Sequence, residues 1–140
     1  MAEFAPAQAV PVPQALCASA ELEEKGRAVL FDVLHFREPA RGFALRFDGR
    51  VVAYLNRCVH VPTELDWQPG EFLDSGREFI LCSIHGAAYE PRSGRCLAGP
   101  CGRGALTVIE VEERDGAVWW LPTRDTRPAP PSAHATPAPV

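Results

Sequence analysis

Two short segments of this sequence each pair a thiol with an imidazole. Cys58-Val-His60 places one residue between them and Cys82-Ser-Ile-His85 places two, with the 21 residues from Val61 to Leu81 separating the pairs. Thiolates are soft ligands and neutral imidazoles borderline ones, so two of each suit zinc or an iron–sulfur cluster. A structural zinc site would close a tetrahedron with all four side chains, but its usual spacing pairs Cys with Cys and His with His on separate elements. Here each segment mixes the two types. That mixture suits a two-iron centre in which each segment gives one ligand to each iron.

Such a site needs rigid elements beneath it, and the periodicity around it is that of strands. Gly42-Phe-Ala-Leu-Arg-Phe47 and Arg50-Val-Val-Ala-Tyr-Leu55 flank Asp48-Gly49, the strongest local hairpin signal. Leu106-Thr-Val-Ile-Glu-Val-Glu112 and Ala117-Val-Trp-Trp-Leu121 flank Arg114-Asp-Gly116 in the same way. Short strands at Ala28–Leu34 and Glu78–Leu81 and a turn at Glu90-Pro-Arg-Ser-Gly94 complete an all-β outline, expected to close as a small antiparallel sandwich or barrel. One or two helical turns are expected near Ser19–Lys25, with Ser19 as cap. Both Cys/His segments directly follow an apolar β run, which puts them on loops at strand ends. The ends of the chain are rich in Pro and Ala and lack apolar periodicity, so residues 1–13 and 124–140 are expected to be disordered tails around one domain at 14–123.

With Leu65-Asp-Trp67 and Pro69-Gly after the first segment, and His85-Gly-Ala-Ala-Tyr-Glu-Pro-Arg-Ser-Gly94 then Gly99-Pro100 after the second, the sequence resembles the Rieske [2Fe–2S] domain family over about residues 15 to 122. The resemblance implies that Cys58 and Cys82 bind one iron and His60 and His85 the other, as in Rieske centres generally. It implies an antiparallel fold with a cluster-binding subdomain at about 56–104, its tip formed by the two Cys/His loops and the loop at Gly99-Pro100. Gly86, Ala87, Tyr89 and Pro100 would then neighbour the cluster without ligating it. Replacing two thiolates by neutral imidazoles leaves the oxidised cluster less negative and eases its reduction, to roughly −150 to +300 mV.

Departures from the family pattern narrow the expectation. High-potential Rieske proteins carry an extra Cys in each cluster loop, joined as a disulfide; the matching positions here are Thr63 and Ile84. The serine that follows the second His-Gly pair in those proteins is Ala87 here, while the tyrosine two places on is kept as Tyr89. Both features point to the soluble, low-potential ferredoxin branch.

Composition agrees with a folded carrier. Hydrophobic residues make up 46% of 140, enough for one core, and the net charge of −4 argues against a nucleic-acid partner. No apolar run is long enough to span a membrane, and the N-terminus lacks a secretory pattern, so the expected location is the cytoplasm. In that reducing compartment Cys96 and Cys101, which flank Leu-Ala-Gly-Pro, are expected as free thiols rather than a disulfide. Cys17 reads as a small buried hydrophobe, His35 as structural, and Trp67, Trp119 and Trp120 as core or edge aromatics, with Leu65 and Trp67 also able to cover the cluster. The expected function is one-electron transfer from a reductase to a terminal oxygenase or other oxidoreductase, with no small-molecule substrate and no catalysis by the chain alone. A Rieske subunit of a multi-component oxidoreductase, nitrite-reductase-like or ring-hydroxylating, and a zinc-stabilised interaction module stand as alternatives.

Overall fold

The computed structural model describes residues 12–59, 63–84 and 86–129. Among the described residues ten strands carry the fold: β1 (Gln14–Ala18), β2 (Val29–His35), β3 (Glu38–Phe47), β4 (Arg50–Leu55), β5 (Ile80–Leu81), β6 (Ala88–Tyr89), β7 (Cys96–Ala98), β8 (Val111–Arg114), β9 (Ala117–Trp120) and β10 (Thr126–Pro128). They form three antiparallel sheets, ordered β1-β9-β8, β10-β2-β3-β4 and β5-β6-β7. The all-β antiparallel expectation holds. No helix among the described residues is long and apolar enough to cross a membrane.

Both Asp-Gly hairpins form where the sequence places them. Asp48 and Gly49, and Asp115 and Gly116, all take positive φ, so both central positions of each turn are left-handed and match the twist of the flanking strands. A third hairpin joins β2 to β3 through Phe36 and Arg37, at φ 50° and 71°, with no glycine to relieve the crowding.

β3 and β4 are buried on both faces, and that is how the fold acquires two cores. Phe43, Leu45, Phe47 and Tyr54 face the third sheet, where Phe43 stacks on Phe72 at 3.7 Å between ring centroids. Ala44, Ala53 and Leu55 face the first sheet and meet Val33, Ile109, Val118 and Trp120. Tyr54 ties the first core shut by donating its hydroxyl to the Pro91 carbonyl at 2.6 Å. Half-buried Arg46 links β3 to its surroundings, donating to the Leu22 and Ser19 carbonyls and, through two nitrogens, to Glu113.

Four expectations are corrected. The helix near Ser19–Lys25 is one 3-10 turn, Ser19–Glu21, entered from Ala18, whose N–H is taken by the Glu21 carboxylate at 3.1 Å. The strand expected from Leu106 begins only at Val111, because the chain crosses there from one sheet to the other: Leu106 and Ile109 are buried while Val108 is exposed, a spacing no strand can keep. Residues 107–109 still bond to β4, Leu55 donating to Thr107 and Ile109 to Ala53. Thr126–Pro128, in the segment expected to be a tail, is an edge strand on β2, a position that tolerates proline. Cys96 and Cys101 form a disulfide, Cα to Cα 5.7 Å, where free thiols were expected. The expected tails at 1–11 and 130–140 lie outside the described residues.

Candidate metal centre

Each predicted thiol opens a loop that hydrogen bonds close behind it. The Cys58 N–H donates to the Thr63 carbonyl at 2.8 Å, and the Cys82 N–H donates to the Ala87 carbonyl at 2.8 Å. Gly86, at φ 74°, donates back to the Cys82 carbonyl at 3.0 Å. A further bond from Ser83 N–H to the Leu65 carbonyl, 3.1 Å, joins the two loops.

The first loop is braced by a residue the sequence reading passed over. Asn56, 3% exposed at the end of β4, donates from Nδ2 to Asp66 at 3.0 Å and accepts the Leu65 N–H at 2.7 Å. Asp66 in turn accepts the Gly70 N–H. A buried amide with both ends bonded fixes a loop far more firmly than an apolar side chain could. Its only sequence signal was an Asn directly after an apolar run. Arg41 of β3 adds a paired contact from outside, donating to both oxygens of Glu64 at 3.0 and 2.8 Å.

Cys58 and Cys82 are 3% and 0% exposed and belong to one buried cluster with Leu65, Ala87, Tyr89 and Cys101. The Tyr89 oxygen lies 3.5 Å from the Cys58 sulfur and accepts the Val59 N–H at 3.2 Å. Burial, and then the contact with the Cys58 sulfur, push the Tyr89 phenol well above its ordinary pKa, so it stays protonated and able to donate. Two buried thiols in an apolar setting, one beside a hydroxyl donor, fit a metal–thiolate site: metal binding deprotonates a thiol, and the donor then meets a full thiolate.

His60 and His85, the other two predicted ligands, lie outside the described residues, as do Val61 and Pro62. Among the described residues no three or more His, Cys, Asp and Glu are gathered to hold a metal ion. Of the predicted neighbours, Ala87 and Tyr89 are buried beside the two thiols, whereas Gly86 and Pro100 are exposed. Leu65 is buried in the same cluster as the thiols, and Trp67 is 50% exposed. His35 is structural, as expected: its Nδ1 lies 2.8 Å from the Thr126 hydroxyl and its ring packs on Phe36. Trp120 is a core residue and Cys17 is half-buried.

The third loop packs on the other two. Gly99, at φ 91°, comes so close to the second loop that a Cβ there would sit 2.8 Å from the Ala87 Cα and 3.1 Å from the Gly86 oxygen. At Gly104 a Cβ would lie 2.5 Å from the Val59 side chain. Around this end Val59, Ile84 and Leu97 are large exposed apolar side chains.

A family model of the Rieske [2Fe-2S] domain matches residues 12–123. No curated protein matches the chain. Among solved structures, the ferredoxin of carbazole 1,9a-dioxygenase from Nocardioides aromaticivorans aligns with a TM-score of 0.62 at 19% identity, covering 80% of this chain and 99% of that one. The terminal oxygenase of the same system and organism aligns with a TM-score of 0.62 at 22% identity, covering 84% of this chain and 32% of that one. A fluorene-bound oxygenase and ferredoxin complex of carbazole 1,9a-dioxygenase aligns with a TM-score of 0.64 at 21% identity, where this chain spans 28% of the matched chain. At these identities the likeness is one of fold.

Proposed function

Because this chain belongs to the Rieske [2Fe-2S] domain family, we propose that it is a one-electron carrier in which Cys58 and Cys82 hold one iron of the cluster and His60 and His85 the other. When bound, a [2Fe–2S] cluster supplies reversible one-electron transfer at a potential set by its ligands and their hydrogen bonds. The observation that carries the reading is the pair of thiols: both buried in one apolar cluster, each opening a closed loop, with the Tyr89 hydroxyl against the first.

The chain's own residues then have definite tasks. Tyr89 donates toward the Cys58 sulfur, Asn56 holds the first loop in shape, and Leu65 and Ala87 keep water from the two thiols. Val59, Ile84 and Leu97 offer an apolar contact area at the same end, suited to brief docking with a redox protein. A reductase upstream and a terminal oxygenase downstream are the partners we propose, supported by the folds this chain shares with the components of carbazole 1,9a-dioxygenase. A second reading, in which the chain acts as the Rieske portion of a multi-component oxidoreductase, is favoured by the alignment with a terminal oxygenase.

Metal and sulfide analysis of the purified protein, read beside its visible spectrum, tests the proposal. Iron and acid-labile sulfide in equal amounts, with absorption that bleaches on adding one electron per chain, are the expected result. A colourless protein carrying zinc overturns it.

A further inference from the structure

We propose that the Cys96–Cys101 disulfide is a thiol-exchange site that governs how firmly the cluster is held; the inference rests on the cluster reading above. The bond closes Leu97-Ala98-Gly99-Pro100 into a small ring, and this ring is the part of the third loop that lies on the second. Gly99 meets Ala87 and the Gly86 carbonyl with no room for a side chain, and Gly104, held by its N–H to the Cys101 carbonyl at 3.0 Å, meets Val59. Cys96 N–H donates to the Gly104 carbonyl at 2.9 Å, so both ends of the loop are pinned. One disulfide therefore fixes a segment in contact with the residues after Cys58 and after Cys82. Positions 63 and 84 hold Thr and Ile, so no disulfide ties the two cysteine loops to each other there.

The bond is also placed to be exchanged. Leu97, Ala98, Gly99 and Pro100 are all exposed, Cys96 is half-buried, and Cys101 is buried. A thiolate from a small or protein dithiol reaches the Cys96 sulfur first and forms a mixed disulfide with it, releasing Cys101 as a thiolate that takes up a proton. The second thiol of the reagent then closes its own disulfide and frees Cys96 as a thiol. Two electrons and two protons pass from the dithiol to the pair, and an oxidised dithiol reverses the exchange. With the bond open, residues 97–100 regain chain freedom and the close packing of Gly99 on the second loop loosens.

The test uses the cluster-bearing protein without oxygen, treated with dithiothreitol or left untreated and then freed of reagent. Alkylation and mass measurement count the opened thiols, and the decay of visible absorbance in a ferrous chelator gives the rate of cluster loss. The reduced form should lose its cluster faster by on the order of tenfold. Cys96→Ser/Cys101→Ser should decay at that faster rate with or without dithiothreitol. Three results overturn the inference: a pair that dithiothreitol fails to open, equal decay of the opened and closed wild type, or a double variant whose decay dithiothreitol speeds as much as it speeds the wild type's. A protein that carries no chromophore in any form overturns the cluster reading beneath it, whereas a chromophore indifferent to the pair overturns this inference alone.

Discussion

The Tyr89 hydroxyl sits between the Cys58 sulfur, 3.5 Å away, and the Val59 N–H, which it accepts at 3.2 Å. Because the oxygen already accepts a hydrogen bond from the backbone, its own hydrogen is free to point at the sulfur. A bond to a ligand sulfur strengthens as the cluster gains charge, so it favours the reduced form. If its differential worth is about 1 to 1.5 kcal/mol, Tyr89→Phe lowers the midpoint potential by roughly 40 to 65 mV, at about 59 mV per 1.4 kcal/mol for one electron. Voltammetry at fixed pH measures this, and an unchanged midpoint would place the hydroxyl proton elsewhere.

Ala87 gives the opposite sign. It is fully buried among Cys58, Cys82 and Tyr89. If the two thiols bind the cluster as proposed, a hydroxyl there has a thiolate sulfur as its natural acceptor, so Ala87→Ser should raise the midpoint by tens of millivolts, roughly the size of the tyrosine effect. The measurement counts only with the visible spectrum intact. No rise in potential would mean that the added oxygen faces away from the thiols.

The β2–β3 turn carries strain that substitution can remove. Phe36 and Arg37 hold positive φ where the other two hairpins have Asp-Gly, and Phe36 is 64% exposed, so burial of its ring does little to offset the crowding. Phe36→Asn together with Arg37→Gly should stabilise the fold by about 1 to 2 kcal/mol, read as a higher urea midpoint at unchanged slope. No gain would show that the contact of the Phe36 ring with His35, 4.5 Å between centroids, balances the strain.

The Arg46–Glu113 pair should mark the acid limb of stability. The two hydrogen bonds from Arg46 hold the Glu113 carboxyl at about 2 rather than 4.5. A carboxylate with a depressed folded pKa stabilises above its unfolded pKa and loses that contribution as pH falls from about 4.5 toward about 2. Wild type should therefore exceed Glu113→Gln in urea midpoint at pH 7, by a margin that solvent screening keeps modest, and the two should converge as acid is added. A margin that stayed constant with pH would assign the difference to shape rather than charge.

Local chemistry in the sequence determined the frame and marked the two Cys/His segments proposed to hold the cluster. Asp48-Gly49 and Asp115-Gly116 dictate their turns because both central residues must be left-handed, and the apolar runs around them dictate strands. The Cys58-Val-His60 and Cys82-Ser-Ile-His85 spacings are legible as candidate metal-ligand pairs because thiol and imidazole fall so close together. The features that went unread depend on partners distant in the chain. Nothing in Phe36-Arg37 favours a left-handed turn; β2 and β3 pair from Val29 with Ala44 to His35 with Glu38, and the two residues left over must close the hairpin. Thr126–Pro128 becomes a strand only because β2 presents an open edge to it. The expectation of free thiols at Cys96 and Cys101 was drawn from compartment, but their pairing is set by how the loop between them folds. That loop turns at Gly99 against Ala87, which brings the two Cα atoms to 5.7 Å, within reach of a disulfide.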